Sequence, residues 1–501
     1  MNLMLLLEMA AAGMGDRIAV QCDGVRWTHA ELFAGAGRLA ARIRDAGVER
    51  VSVLDVSSPA VPLALFASAW SGKPFVPINY RLTGAEVDAL IERVTPVLLV
   101  VDRERAKGLA GRAGVKLIVR EDLLAEARAA AEEAPAADWS MEPEDIAIWL
   151  FTSGTTGAPK AALLRHRHLV SYILGSVEYM SAAEDDAALV SVPPYHVAGM
   201  AALLSSIYSG RRMVQLPAFS PEAWLELAES ERITHAFLVP TMLARVVERL
   251  EATGGKAPST LRALAYGGGK MPLPVIERAM RLFPGTDFTN AYGLTETSST
   301  LSVLGPADHR EAAGSSDPNL RRRLSSVGKP LPSVELEIRD AEGKPAGPGE
   351  RGEICVRGEQ VSGEYLGRAS RIAVDGWFPT HDGGFLDEGG YLFVEGRIDD
   401  VIVRGGENLS PGEIEDVLLE HPAVSDVAVV GVPDLEWGEG VAAAVVLKEG
   451  AVASAEELKD WVKQHLRSSR VPQLVRFEPE LPYNETGKLL RRKVRAALTP
   501  E

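Results

Sequence analysis

Residues 152–160, Thr-Ser-Gly-Thr-Thr-Gly-Ala-Pro-Lys, carry the densest concentration of chemistry in the chain. Hydroxyl side chains, two glycines and a lysine lie between two short apolar runs, 146–151 and 161–164, each of which reads as a buried strand. A loop of that composition can wrap an anion: backbone N–H groups and hydroxyls point inward, glycine lets the backbone come close, and Lys160 offers a point charge to a phosphate oxygen. The expected ligand is a polyphosphate. A Walker A loop needs glycine directly before its lysine and Ser or Thr directly after; Pro159 and Ala161 hold those places, so this is a phosphate loop of another kind. Thr152, Ser153, Gly154, Thr155, Thr156, Gly157 and Lys160 are the candidate phosphate-binding residues.

Other chemistry-bearing stretches follow in order: Pro193-Pro194-Tyr195-His196-Val197-Ala198-Gly199, Gly267-Gly268-Gly269, Asn290-Ala291-Tyr292-Gly293-Leu294-Thr295-Glu296, Thr380-His381-Asp382, Gly396-Arg397-Ile398-Asp399-Asp400, Gly405-Gly406 and Asn484-Glu485-Thr486-Gly487-Lys488. With residues 152–160 at their head, these resemble the signatures of the adenylate-forming superfamily: acyl-CoA synthetases, aryl-CoA ligases, firefly-luciferase-like enzymes and the adenylation domains of peptide synthetases. The chain looks most like a bacterial fatty-acid or acyl-CoA ligase, and the resemblance spans essentially residues 16–495.

The resemblance implies ATP, Mg²⁺ and CoA as cofactors and gives each stretch a role. Tyr292 offers a face to adenine, the Thr295 hydroxyl reaches the α-phosphate, and the Glu296 carboxylate holds Mg²⁺, which favours carboxylate plus phosphate oxygens. Gly268 and Gly269, in the triple-glycine stretch, wall the adenine and acyl pockets, Asn290 and Ala291 count among the cofactor-binding residues, and His196 borders the acyl site. Asp382 accepts hydrogen bonds from the ribose hydroxyls and Arg397 completes them. The family usually has glycine where His381 stands, and the consequence of that departure is open. Asp399 matches the hinge, Gly405 and Gly406 leave room for a pantetheine arm, Trp437 lies near that arm, and Lys488 reaches into the active site. In some relatives the residue matching Arg81 reaches the CoA phosphates. The activity implied is an AMP-forming acyl-CoA synthetase, an acid–thiol ligase. The alternative is an acyl-adenylate ligase loading the pantetheine of a separate carrier protein. The residues after His196, from Val197 to Ala202, include no carboxylate that could hold a substrate ammonium, so the acid is expected to be apolar and to lack an α-amino group.

The elements that must position these residues read as an α/β fold. Helix and strand patterns alternate from Arg26 onward, which predicts parallel-rich sheets with helices on both faces. Thr28 with Glu31 forms a capping box that opens a helix to about Ala46. A small β-rich subdomain is expected after residue 328, and residues 304–326 read as a polar surface loop. We expect an N-terminal domain over residues 1–396 and a small, mobile α+β lid over residues 397–501, joined by a hinge near 397–400. The apolar start, 1–13, lacks a basic n-region and carries Glu8, so it reads as an amphipathic docking helix rather than a signal peptide.

Composition narrows the partners. The net charge of −16 comes without a block of like charge, which speaks for solubility and against nucleic acid. Two cysteines, Cys22 and Cys355, cannot build a disulfide framework or a structural zinc site, so the cytoplasm is the expected compartment. No run is apolar and long enough to span a bilayer. The expected partners are a small carboxylic acid, ATP and CoA; a homo-oligomer is left open.

Overall fold

The computed structural model describes residues 1–129, 138–152, 159–405, 407–484 and 489–499. The alternating pattern resolves into two large sheets. In a nine-stranded sheet, Asp287–Leu294, Ala263–Gly267, His235–Leu238, Ala187–Val190, Arg212–Gln215 and Ile18–Cys22 run parallel in that order, with antiparallel strands at both edges. In a six-stranded sheet, Val115–Val119, Val97–Val101, Arg50–Leu54, Phe75–Pro77 and Ile146–Thr152 are parallel, and Lys160–Arg165 closes the edge antiparallel to Ile146–Thr152. The helix Ala60–Ser71 is apolar on every side and buried along almost its whole length, as a helix enclosed by other elements must be. The capping box at Thr28 and Glu31 forms as expected and opens the helix His29–Asp45.

Two expectations need correction. The N-terminal helix, Met4–Met14, does dock, but it is not amphipathic: it packs against His29–Asp45, Ala60–Ser71 and Val197–Ser209 at once, so several of its faces need apolar cover. It is tied down by the Asn2 amide, which donates to Ala69 O at 3.2 Å and Ser140 O at 2.8 Å. The second correction concerns residues 304–326, which form the helices Pro306–Gly314 and Pro318–Arg322 and a 3-10 turn, Arg323–Ser325, rather than a loop. Proline opens both helices, the Gly305 N–H donates to Asp308 at 3.2 Å, and Asp317 caps Asn319. The arginine triplet supplies the packing that apolar side chains would otherwise give. Arg321 pairs with Glu277, the Arg322 guanidinium lies 5.2 and 5.0 Å over Phe385 and Phe393, and Arg323 lies 4.1 Å over Tyr391.

The β-rich subdomain is a four-stranded antiparallel sheet of Glu335–Arg339, Gly352–Arg357, Phe378–Leu386 and Leu392–Arg397. Beyond it, Ile402–Arg404, Glu407–Leu409, Val424–Asp434, Gly438–Leu447 and Leu474–Phe477 form a five-stranded sheet with the helices Pro411–Leu419, Ala455–His465 and Arg491–Leu498. Its interior holds an ion pair. The Glu415 carboxylate, 6 % exposed, accepts from Arg491 at 2.5 and 2.8 Å and from Val429 N at 2.8 Å. Burial would raise this carboxyl, but the Arg491 guanidinium more than offsets that and holds it below the usual range.

The Glu415→Gln substitution removes the nearer, doubly bonded counter-charge of Arg491 and leaves Asp400 at 3.6 Å, at a cost of about 3–5 kcal/mol to this C-terminal unit. Urea unfolding followed by limited proteolysis should release the C-terminal fragment from the variant first. The native carboxyl titrates below its unfolded value of about 4.3, so the pair stabilises fully above that pH and fades as pH falls through the native value. The gap between wild type and variant should therefore shrink below about pH 4; a gap constant with pH would refute the assignment.

Candidate active site

The parallel strands deliver the chemistry to one edge of the nine-stranded sheet. Loops leave the carboxyl ends of Ala187–Val190, His235–Leu238 and Ala263–Gly267, and residues 292–296 end or follow Asp287–Leu294. Register sets Tyr266 beside Asn290 and Gly267 beside Ala291. A side chain at Gly267 would place Cβ 2.0 Å from Ala291 O, and Gly268 has φ +80°, so this wall is bare backbone. The Asn290 Nδ2 donates 3.0 Å to Ser326 O and secures the neighbouring turn.

Three of the residues expected to bind the nucleotide meet. The Tyr292 hydroxyl donates 2.6 Å to Asp382 Oδ2, Arg397 Nε lies 3.1 Å from Asp382 Oδ1, and Arg397 Nη1 donates 2.8 Å to Thr380 O. Asp382 and Arg397 are direct partners across Phe378–Leu386 and Leu392–Arg397, and Asp382 is only 7 % exposed. Burial, and then the Asp382 charge, push the Tyr292 phenol well up, so it stays a donor. The departure at His381 has a backbone meaning. Its φ is +59°, a conformation that glycine adopts freely and histidine tolerates. The residue is secured on its exposed side by Glu353, whose Oε1 accepts from His381 N at 3.0 Å and lies 3.3 Å from Nδ1.

Glu296 and the phosphate hairpin share one brace. Thr295 and Glu296 sit in the 3-10 turn Thr295–Thr297, and Ser298 and Ser299 follow at φ +56° and +111°. That strained turn is held by the buried Gln360, whose Nε2 donates to Thr297 O at 2.9 Å and Thr300 O at 2.7 Å, while Ser298 Oγ donates 2.9 Å to Gln360 O. Residues 362–366 then run between the two motifs. On one side Ser362 N donates 2.8 Å to Glu296 O and the Tyr365 hydroxyl donates to the Glu296 carboxylate. On the other, Leu163 N donates 3.0 Å to Glu364 O, Leu366 N donates 2.9 Å to Ala161 O, and Arg165 makes a two-pronged pair with Glu364 at 2.9 and 2.7 Å. Thr152 and Lys160 face one another at the mouth of the hairpin. Ser153, Gly154, Thr155, Thr156 and Gly157 lie outside the described residues. Gln360 and Tyr365 were not legible in the sequence, because only the fold brings them beside residues some 60 positions away. Among the described residues no group of three or more His, Cys, Asp or Glu could hold a metal by itself. A single carboxylate at a phosphate site fits Mg²⁺, which keeps water and phosphate oxygens as its remaining ligands.

On the acyl side, His196 precedes the helix Val197–Ser209, with its ring 4.5 Å from that of Tyr195, which meets Tyr80 edge-on at 5.5 Å. His196 Nε2 is buried with no hydrogen-bond partner among the described residues. Burial, and secondly the Arg81 charge, lower its pKa to about 4, so the imidazole is neutral at neutral pH.

In the C-terminal unit, Lys488 and Gly406 lie outside the described residues, yet the base of the Lys488 loop is firm. Tyr483 and Leu489 pair antiparallel, Leu490 N donates 2.8 Å to Pro482 O, and the Tyr483 hydroxyl reaches Asp426 at 2.9 and 3.0 Å. The room expected beside Gly405 is taken by Trp437: a Cβ on Gly405 would lie 2.7 Å from the indole, which is itself 42 % exposed. Asp399 is exposed in the turn Ile398–Asp400 between two sheets. Lys270, next to the glycine wall, donates 3.0 Å to Gly412 O and 2.7 Å to Asp416. Arg470, which the sequence left without a role, pairs with Glu407 and Glu413 at 2.7 Å each.

The family model for AMP-binding enzymes matches residues 7–366, and that for the AMP-binding enzyme C-terminal domain matches 413–488. The chain belongs to this family. It is 34% identical over 484 residues to a feruloyl-CoA synthase of Amycolatopsis sp, covering 95% of each chain. It is 33% identical over 490 residues to the fatty acid–[acyl-carrier-protein] ligase ScoC of Streptomyces coeruleorubidus, covering 95% of this chain and 92% of that one. Among solved structures, o-succinylbenzoate CoA synthetase from Bacillus subtilis with its acyl-adenylate intermediate superposes with a TM-score of 0.83 at 30% identity over 99% of both chains. The same enzyme has been solved with ATP and magnesium ion.

The Tyr365→Phe substitution removes the donor that fixes the Glu296 carboxylate and leaves the ring in place. Supporting partners of this kind are typically worth about 10–100-fold in metal affinity. Titrating Mg²⁺ in an ATP–pyrophosphate exchange assay should show a rise in the half-saturating concentration of about 10-fold. An unchanged Mg²⁺ requirement would remove Tyr365 from the site.

Proposed function

We propose that the chain activates a carboxylic acid with ATP and passes the acyl group to the thiol of CoA, with one site serving both steps. The observation that carries this reading is the shared brace of residues 362–366, which sets a carboxylate beside the hairpin carrying Thr152 and Lys160, next to a nucleotide corner of Tyr292, Asp382 and Arg397.

A carboxylate acylates poorly because its leaving group would be oxide. In the first step its oxygen bonds to the α-phosphorus of ATP, the bond from that phosphorus to the bridging oxygen breaks, and pyrophosphate departs with the electron pair. Two anions must meet, so the barrier is electrostatic. Lys488 and the loop at 152–160 offset the charge, the Thr295 hydroxyl holds the α-phosphate, and the ribose hydroxyls bond to Asp382 and Arg397, competing with the Tyr292 hydroxyl for the carboxylate. Mg²⁺ held by Glu296 would neutralise phosphate charge. In the second step sulfur bonds to the acyl carbon, the mixed anhydride C–O bond breaks, AMP leaves, and the thiol proton passes to solvent. Residues 397–501 act as a lid that turns about Asp399 on residues 1–396, exchanging Lys488 for the edge at Gly405 and Gly406, with Trp437 flanking the pantetheine arm. The similarity to ScoC supports a second reading, in which the thiol belongs to a carrier protein; free CoA as acceptor separates the two. Among the described residues no helix is long and apolar enough to cross a membrane, and we place the reaction in the cytoplasm, where two free thiols at Cys22 and Cys355 suit a reducing compartment.

The Lys488→Ala variant should lose ATP–pyrophosphate exchange by about 10²- to 10³-fold while still forming thioester from preformed acyl-adenylate. Equal loss of both half-reactions would sink the two-pose mechanism. Exchange with phenylpropanoate should exceed exchange with phenylalanine, because residues 197–202 offer no carboxylate to an ammonium; the reverse preference would overturn the choice of acid.

A further inference from the structure

The strand Arg212–Gln215 ends between the layers, and its last side chain is unsatisfied. Gln215 is 5 % exposed, and its Oε1 is buried with no hydrogen-bond partner among the described residues. The side chain borders a cavity of about 10 Å³ walled by Ser57, Val190, Pro194, Gly199, Met200 and Met213. Folded interiors seldom leave a buried polar atom unpaired, because it forfeits its bonds to water for nothing in return.

The position of the cavity connects it to the chemistry. Pro194 and Gly199 belong to the stretch that carries His196, and Gly199 and Met200 lie in the first turn of the helix that follows it. The cavity therefore lies beneath the acyl side of the site. It is just large enough for one water, but two of its walls are methionines, whose unbranched side chains can swing aside.

We propose that Gln215 is a specificity-determining residue at the closed end of the acyl pocket, and that the acid activated here carries a hydrogen-bonding group, a hydroxyl or carbonyl, at the end remote from its carboxylate. This rests on the adenylation reading above and refines it: the acid is apolar along its length and polar at its tip. A carboxamide offers both donor and acceptor, so it accommodates a hydroxyl in either role. A site built to bond such a group rejects an analogue without it more strongly than an apolar pocket rejects an extra methylene.

The test is ATP–pyrophosphate exchange with acids matched except at the tip: 4-hydroxycinnamate against cinnamate, and 8-hydroxyoctanoate against octanoate. The wild type should favour the hydroxylated member of at least one pair by about 10-fold or more in kcat/KM. Gln215→Leu should abolish that preference by lowering kcat/KM for the hydroxy acid, leaving the plain acid within about 3-fold of its wild-type value. Gln215→Met, read alongside with thermal unfolding of both variants, guards against a folding defect: a folded variant still turning over the plain acid is the expected result. A wild type indifferent to the hydroxyl, or variants that lose both acids equally, would mean that Gln215 holds only a buried water, and would overturn the proposal. Absence of exchange with every acid would refute the adenylation reading, and this inference with it.

Discussion

A carboxylate proposed to hold a cation beside a polyphosphate must be held in place relative to the strands that flank the expected phosphate-binding residues. Here that constraint is met by lacing residues 362–366 to both partners, with backbone bonds to Lys160–Arg165 on one side and to Glu296 on the other. Much else depends on this arrangement. Gln360 secures the turn after Glu296, and the Arg165–Glu364 pair fixes the brace to the hairpin strand. The brace lies inside the β-rich subdomain, between its second and third strands, and the two strands that follow carry Asp382 and Arg397. Each of these contacts joins segments distant in sequence, so the site exists only once the large domain has folded around it.

The motifs were legible because their chemistry is local. Phosphate loops, capping boxes and glycine walls are defined by neighbours in sequence, and the strands, the capping box at Thr28 and the layout of the C-terminal unit follow the same local rules. What could not be read depends on side chains meeting across the fold. Tyr365 and Gln360 have no sequence signal that links them to Glu296. Residues 304–326 look like loop because their anchors are a buried histidine, His309, on Tyr266 and arginines on aromatic rings rather than an apolar stripe, and periodicity counts only the latter. The N-terminal helix misleads in the opposite sense: enclosed by three helices, it needs no polar face over much of its surface. At Gly405 composition reported space, and the structure fills that space with an indole from a distant hairpin.

The C-terminal unit is held together internally and joined to the large domain by contacts of different kinds. Internally it uses burial: Arg491, a few residues beyond Lys488, is bonded into the interior through Glu415 and Val429, so the base of the lysine loop is fixed to its own sheet. Its ties to the large domain are of another kind. Lys270 to Asp416 and Arg351 to Glu413, at 2.7 and 3.7 Å, join side chains that are mostly well exposed. Ion pairs in water are worth about 0–1 kcal/mol each, against several kcal/mol for breaking the buried pair inside. Such contacts define a resting pose without trapping it. A unit that turned between two poses, as proposed above, could not be held by apolar burial, because every rotation would then expose that surface to water; polar contacts exchange with water at little cost. The difference in kind between its interior and its border therefore supports the proposed lid turning about Asp399.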